Sequence, residues 1–151
     1  EFESLLLEIP ADFAVPLPEI GPLRAKHKPL VLLTSNNTRD LSDALKRRCL
    51  HLYIPFPEAE LESRIVQSRV PDVADSLRQQ LVTFVHGVRQ LDLKKQPAIS
   101  ETIDWARSLL LLHADNLSAA LVDDSLNVLL KYEEDINIVR PEITRLLSQR
   151  Y

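Results

Sequence analysis

Two prolines, Pro55 and Pro57, divide this sequence into two parts with different hydrophobic patterns. Before them lie two short apolar runs, Leu30 to Ser35 and Leu50 to Ile54, whose lengths favour buried strands. After them, apolar residues recur only at helical spacing. Because proline ends strands and is tolerated at helix starts, we place a domain boundary here, with residues 1–56 in one domain and residues 57–151 in the other.

The second part predicts a bundle of four or five helices. Each predicted helix is too short to be stable alone, so the helices must pack on one another through their apolar stripes. Pro141 is expected to kink or divide the last of them. The predicted segments are Glu58 to Arg69 with Leu61, Ile65 and Val66 as its apolar residues, a long helix after Asp72 with a stripe from Val73 to Leu91, a helix capped by Ser100, a helix begun by Asn116 or Ser118, and Glu133 to Arg150.

The first part predicts elements of an α/β layer. Glu1 to Ile9 has the spacing of an amphipathic helix end. Residues 12–25 predict an edge hairpin or a projecting loop, because Pro16 and Pro18 exclude a central strand. A short helix from Asp43 to Arg48, capped by Ser42, is expected between the two apolar runs. The fold class is therefore α/β plus all-α, with the helical bundle at the C-terminal side.

Glycine content restricts the chemistry of this chain. It has only two glycines among 151 residues, Gly21 and Gly87, so it cannot contain the phosphate-binding sequence G-x-x-x-x-G-K-[ST]. It begins with Glu1 and has no methionine. We therefore expect a portion of a longer protein, and this portion lacks a phosphate-binding loop of that kind.

Charge and cysteine content restrict the setting. The net charge of −4 argues against a broad nucleic-acid-binding surface. No apolar run approaches the roughly 20 residues that cross a membrane. Cys49 is the single cysteine, so no internal disulfide can form, and a reducing, cytoplasmic location is expected. Cys49 is predicted to be a small buried apolar residue, and the four histidines lack the spacing of a metal site.

Two polar features follow the apolar runs. Asn36, directly after Thr34 and Ser35, can orient a water and contact a phosphate, or it can simply form an Asx turn. Arg47 and Arg48 end the short helix, where cations are favoured by the helix dipole. An arginine fork at a surface corner also fits phosphate oxygens and can act on a neighbour's nucleotide. Both interpretations remain open from the spacing alone.

The order of these parts resembles the AAA+ ATPase family. The chain resembles the second half of the ATPase module, and above all that of the MoxR branch with its CoxD-like members. The matching parts are, in order, a run ending in T-S-N, a helix ending in "LKRRC", a second run, "PFPE" and then only helices. The resemblance covers the whole chain. It implies that Asn36 is the sensor 1 residue, with Thr34 near the nucleotide. It also implies that Arg48, or alternatively Arg47, is the arginine finger, and that the fold is a partial αβα core followed by a helical lid.

The family resemblance also implies cofactors and partners. ATP and Mg²⁺ would be bound by the full-length protein in a ring, expected to be a hexamer, that acts on a client enzyme with a von Willebrand factor A-type partner. The helix at "QPAISETIDWARSL" resembles the lid helix that carries sensor 2, but Glu101 and Thr102 follow Ser100 where the family has arginine. Ordinary sensor 2 function is therefore in doubt. The nearest arginine, Arg107, is the candidate nucleotide-proximal residue on this helix, and a surface or lid-packing role for it is equally open.

Two other functions remain open. The first is a non-catalytic helical module that binds a partner through residues 58–151. The second is an AAA+ motor that acts on DNA, which the acidic composition disfavours. Trp105, on the predicted lid helix, is expected to pack in the core rather than stack on an adenine.

Overall fold

Most of the described chain is helical. The structure, a computed structural model, describes residues 13–17, 21–27, 30–35 and 42–148. The chain divides into two units, Glu1–Ile54 and Pro55–Tyr151. The helix predicted for Glu1 to Ile9 and the predicted sensor residue Asn36 lie outside the described residues.

The first unit contains a β-hairpin. Strand β1 (Ala14–Leu17) pairs antiparallel with strand β2 (Gly21–Arg24), and the register places Pro16 opposite Pro22. The Ala25 amide donates to the Phe13 carbonyl at 2.8 Å. Since hydrogen-bonded and non-hydrogen-bonded pairs alternate along an antiparallel ladder, the two prolines fall at a non-hydrogen-bonded pair, where neither needs an N–H. Of the two predicted alternatives, the structure has the hairpin.

The two apolar runs do not form strands. Residues 30–35 and 50–54 are not in strands or helices, and Leu30, Leu50 and Leu52 are largely exposed. The strands predicted there from composition are therefore wrong for this chain. A strand exists only when a neighbouring strand pairs with its backbone, whereas an apolar run shows only that its side chains favour burial.

A short helix lies between these runs. Helix α1 (Asp43–Lys46) begins after Ser42 as predicted, but the Ser42 side chain makes no capping hydrogen bond, and the helix ends two residues before the predicted Arg48. Leu45 is its buried residue. Cys49 is exposed, so the prediction that it is buried is wrong.

The second unit is an α-helical bundle. Pro141 divides its last helix, as predicted, because a 3₁₀ turn at Arg140–Glu142 separates the two pieces. Ser118 is confirmed as a cap, with its Oγ accepting from the Leu121 amide at 3.2 Å. The helices are α2 (Ala59–Arg69), α3 (Asp75–Val88), α4 (Ile99–Leu111), α5 (Ala119–Leu129), α6 (Glu133–Val139) and α7 (Ile143–Leu147).

Helix α3 is the centre of the bundle. It packs against α2, α4 and α7, while α5 packs against both α4 and α7. Its predicted stripe is confirmed, since the side chains of this face are buried. The buried members of the stripe are Val73, Leu77, Leu81, Phe84, Val85 and Val88. No helix among the described residues is long and apolar enough to cross a membrane.

Trp105 on α4 joins this core, as predicted. Its side chain is fully buried, and its ring centroid lies 5.5 Å from that of Phe84. The indole Nε1–H donates to the Ser125 hydroxyl at 2.8 Å. A buried indole needs such a partner because an unpaired donor costs about 1–3 kcal/mol. The hydrogen bond therefore fixes α4 to α5.

Asp135 ties the α3–α4 loop to α6. Its side chain is buried, and its two carboxylate oxygens accept the backbone amides of Lys94 and Lys95 at 2.8 and 3.2 Å. The Lys94 ammonium lies 4.5 Å from the Tyr132 ring centroid and 3.1 Å from Glu134 Oε2. The loop is thus held by residues about forty positions further along the chain.

The core predicts a large difference between two leucine truncations. Leu81→Ala empties a fully buried site on α3 and should lower the free energy of unfolding by about 2–5 kcal/mol. Leu111→Ala makes the same chemical change at a side chain that is 79% exposed and should cost less than about 0.5 kcal/mol. Urea unfolding followed by the fluorescence of the single tryptophan measures both. Equal costs would contradict this core.

Candidate functional site

The arginine pair lies at the C-terminal end of α1. Arg47 is the C-cap residue, and both arginine side chains are exposed. Arg48 Nη1 donates to the Ala44 carbonyl at 3.0 Å, which satisfies one of the carbonyls that a helix end leaves unpaired. Leu45 on the same helix is buried and anchors it. The arrangement presents two guanidinium groups at a surface corner.

The other predicted nucleotide-proximal residues belong to different units of the chain. Thr34 is exposed in a segment without secondary structure, and Asn36 next to it lies outside the described residues. Arg107 belongs to the second unit and is exposed on α4, where its Nη1 lies 3.2 Å from Asp104 Oδ1. Of the predicted site residues, the structure thus describes Thr34, Arg47, Arg48 and Arg107.

The first turn of α4 carries a negative charge. Ala98, rather than the predicted Ser100, is the N-cap. Burial tends to raise the pKa of Glu101, but the Ser100 hydroxyl, a backbone amide and Lys95 hold that pKa below its ordinary value. Glu101 is thus ionised at neutral pH, where it disfavours a phosphate at this helix end. This agrees with the doubt that the sequence raised about sensor 2.

A buried ionic network in the second unit was not predicted. Glu62 on α2 is fully buried and pairs with Arg89, which follows α3. Arg89 Nη1 donates to Glu62 Oε2 at 2.5 Å, and Nη2 donates to Oε1 at 2.9 Å. The Thr102 hydroxyl donates to Oε1 at 2.8 Å, and His86 Nε2 lies 2.9 Å from Oε2. Both carboxylate oxygens thus have two partners.

The network holds the Glu62 carboxyl in its charged form. Burial tends to raise its pKa, but the Arg89 hydrogen bonds and charge, together with Thr102 and His86, keep the pKa below its ordinary value of 4.5. An ionised carboxylate can only accept hydrogen bonds, so in the contact with Glu62 Oε2 the His86 Nε2–H is the donor. Since the acceptor positions of Glu62 are occupied, the group is suited to bracing helices and not to acting as a general base.

Arg89 also connects the network to the surface. Its Nε donates to the Pro97 carbonyl at 2.9 Å, and its guanidinium lies 4.4 Å from the Phe56 ring centroid. An open cleft of about 350 Å³ lies beside it, lined by Phe56–Glu58, His86, Arg89, Gln90 and Gln96. The cleft is mostly polar at its walls, and Gln96 Nε2 donates to the Arg89 carbonyl at 2.8 Å.

The sequence contained a weak signal for this network. The predicted apolar residues of α2 were Leu61, Ile65 and Val66, but the structure exposes Leu61 and buries Glu62 with Val66. Glu62 and Val66 are four residues apart and so share a helix face. A glutamate on the face of a core valine indicates a buried charge that needs a cation, but spacing does not identify Arg89 as that cation.

The Glu62–Arg89 pair predicts an asymmetry between single and double substitutions. Glu62→Leu leaves a buried guanidinium unpaired, and Arg89→Met leaves a buried carboxylate unpaired. Each should cost about 3–5 kcal/mol in the free energy of unfolding. The double variant removes both charges and should be less destabilised than the sum of the two. Urea unfolding of the three variants measures the coupling, and simple additivity would contradict a paired network.

The lowered pKa of Glu62 predicts a pH-dependent contribution to stability. Because its folded-state pKa lies below the unfolded value, the carboxylate contributes stability above about pH 4.5 that is lost as the pH falls through the folded pKa. Glu62→Gln cannot titrate, so the stability gap between it and the native chain should be largest near pH 7 and shrink below pH 4.5. The exposed Glu60→Gln, on the same helix, should show a gap of about 0.5 kcal/mol or less throughout. A gap for Glu62→Gln that is independent of pH would contradict the ionised network.

Comparisons with protein families, with curated proteins and with solved structures return no match for this chain. Its function is therefore argued from its own residues.

Proposed function

We propose that this chain is the C-terminal portion of a MoxR-like AAA+ ATPase that couples ATP hydrolysis to remodelling or metal-centre maturation of a client protein. The observation that carries the proposal is the order of parts along the chain. An apolar run ending in T-S-N precedes a short helix with two exposed arginines at its end, then "PFPE", then a helical unit with its own core. The exposed arginine corner on α1 supports it further.

In this proposal, the two arginines act on ATP bound by a neighbouring subunit. A guanidinium presents a planar fork of donors that fits phosphate oxygens, and it remains charged at any physiological pH. Arg48 must first release the Ala44 carbonyl, a hydrogen bond worth about 1 kcal/mol net. That is small beside the effect of about 10³–10⁵ on rate that an arginine finger has. Arg47 is the alternate, since it lies at the same helix end.

The residues of this chain fit only part of a nucleotide site. With two glycines it supplies no phosphate-binding loop, and Glu101 makes the start of α4 unsuitable for a phosphate. Mg²⁺-ATP, when bound by the full-length protein, supplies the phosphoryl group that water attacks. From this chain, Asn36 would orient that water, Thr34 would lie near it, and Arg48 would stabilise the charge that develops on phosphate oxygens.

The helical unit serves as the lid of the proposed module. Its core and its buried Glu62–Arg89 pair favour movement as one rigid body when the nucleotide state changes. Residues 1–56 would form the last part of an αβα core. The proposed assembly is a cytoplasmic hexameric ring with a client enzyme and a von Willebrand factor A-type partner.

A non-catalytic helical interaction module is the second candidate function. The observation that favours it is that residues 55–151 have a hydrophobic core of their own. A DNA-acting AAA+ motor has less support, because the chain carries a net charge of −4.

The arginine-finger proposal predicts a loss of turnover without a loss of nucleotide binding. Arg48→Ala in the full-length, assembled protein should lower ATPase kcat by about 10³-fold or more, because charge stabilisation in the transition state is lost. The affinity for a fluorescent ATP analogue should change little. Arg47→Ala tests the alternate residue, and Arg64→Ala, at an exposed position of α2, is the matched control.

Three outcomes separate the candidate functions. Loss of turnover in Arg48→Ala or Arg47→Ala, with Arg64→Ala unaffected, supports the arginine finger. Normal turnover in both variants rejects the trans role. A full-length protein that neither binds nor hydrolyses ATP rejects the ATPase and favours the interaction module.

A further inference from the structure

Phe56 is held against the helical unit by a cation. Its ring centroid lies 4.4 Å from the Arg89 guanidinium carbon, within the range of a cation–π contact. The ring is 41% exposed, so one side contacts the protein and the rest faces solvent. Phe56 precedes α2 and makes this contact with a residue 33 positions later, at the far end of α3.

The cation beneath the ring is unusually well fixed. The Arg89 side chain is only 5% exposed and is held by both oxygens of Glu62 and by the Pro97 carbonyl. A surface lysine or arginine that contacts an aromatic ring samples many conformations, whereas hydrogen bonds at Nε, Nη1 and Nη2 restrict this guanidinium. The ring therefore rests on a rigid surface that belongs to the α2–α4 core.

The two prolines stiffen the backbone on both sides of the ring. Each fixes its own φ near −65°, and Pro57 also restricts Phe56 to extended conformations. The segment leads directly to Glu58, the N-cap of α2, whose φ of −61° and ψ of 156° are extended. From Pro55 onward the backbone is thus constrained by the two proline rings, by the contact between Phe56 and Arg89, and by helix α2.

The residues immediately before Pro55 lack these constraints. Residues 50–54 have no helix or ladder hydrogen bonds among the described residues. The side chains of Leu50, Leu52, Tyr53 and Ile54 are all at least 79% exposed.

We propose that Phe56 anchors Pro55–Glu58 to the helical unit, so that the joint between the two units lies at residues 50–54. The anchored segment then belongs to the unit that begins at Pro55. Glu62 and Arg89 act as positioning residues for this anchor, because they fix the surface on which the ring rests. The inference rests on the proposed function, in which the helical unit moves as a lid. That movement would be transmitted through a rigid Pro55–Glu58 segment, and the backbone would bend at residues 50–54.

Backbone ¹⁵N relaxation of the 151-residue chain tests the anchor directly. Pro55 and Pro57 have no amide, so the probes are the amides of Phe56 and Glu58. In the native chain both should have order parameters near about 0.85, while residues 50–54 should lie below about 0.6. In Phe56→Ala the values at residues 56 and 58 should fall toward those of residues 50–54, with α2 still ordered from Ala59.

Two further variants separate the anchor from a general loss of structure. Phe56→Tyr keeps an aromatic ring over Arg89 and should retain the native order parameters. Tyr132→Ala removes the other cation–aromatic contact, with Lys94, and should leave residues 56 and 58 unchanged. Trp105 fluorescence, which reports on the buried core, should be native in all three variants.

Three results would overturn the inference. They are a mobile Phe56 amide in the native chain, order parameters near 0.85 throughout residues 50–54, or unchanged values at residues 56 and 58 in Phe56→Ala. The measurement needs no nucleotide, so its outcome is independent of ATPase activity. Failure of the anchor and failure of the proposed function are therefore distinguishable.

Discussion

A buried carboxylate must be compensated where it lies, and in this chain that requirement organises the helical unit. Glu62 is fully removed from solvent, and an isolated charge there would cost several kcal/mol. Compensation comes from Arg89, Thr102 and His86, which belong to or follow two other helices. The carboxylate therefore sets how α2, α3 and α4 meet, because any sliding between them would leave a charge unpaired. Burial of apolar side chains drives the folding of this unit, and the ionic network fixes the alignment of α2, α3 and α4 with one another.

The sequence predicted the helical unit well because its helices have strong periodicity. The stripe along α3, the break at Pro141, the cap at Ser118 and the core position of Trp105 all follow from local rules about spacing and backbone geometry. Those rules apply without knowing which other helix packs against each one. The predictions for Leu61 and Ser100 were wrong, because α2 buries Glu62 instead of Leu61 and α4 begins after Ala98.

The first unit was harder to predict because its elements depend on partners. Residues 30–35 and 50–54 are apolar enough for strands, but pairing is a property of two chain segments, and the structure assigns neither segment to a strand. The hairpin at Ala14–Arg24 is local, and the prolines that argued against a central strand are compatible with its register. The arginine pair was located correctly at a helix end, yet whether it acts on a nucleotide depends on a neighbouring molecule and not on this chain alone.

The hydrogen bonds between Asp135 and the α3–α4 loop have a consequence for folding during synthesis of the protein. The amides of Lys94 and Lys95 find their acceptor about forty residues later, and the core also needs Ile143 and Leu146 of α7. While the ribosome still holds that region in its exit tunnel, α2 to α5 have emerged but lack both contacts. The nascent bundle is then incomplete, with an untethered loop and an uncovered face of α3. Its final closure must wait until the last helices leave the tunnel, which gives this stretch of chain a period during which a chaperone can bind it.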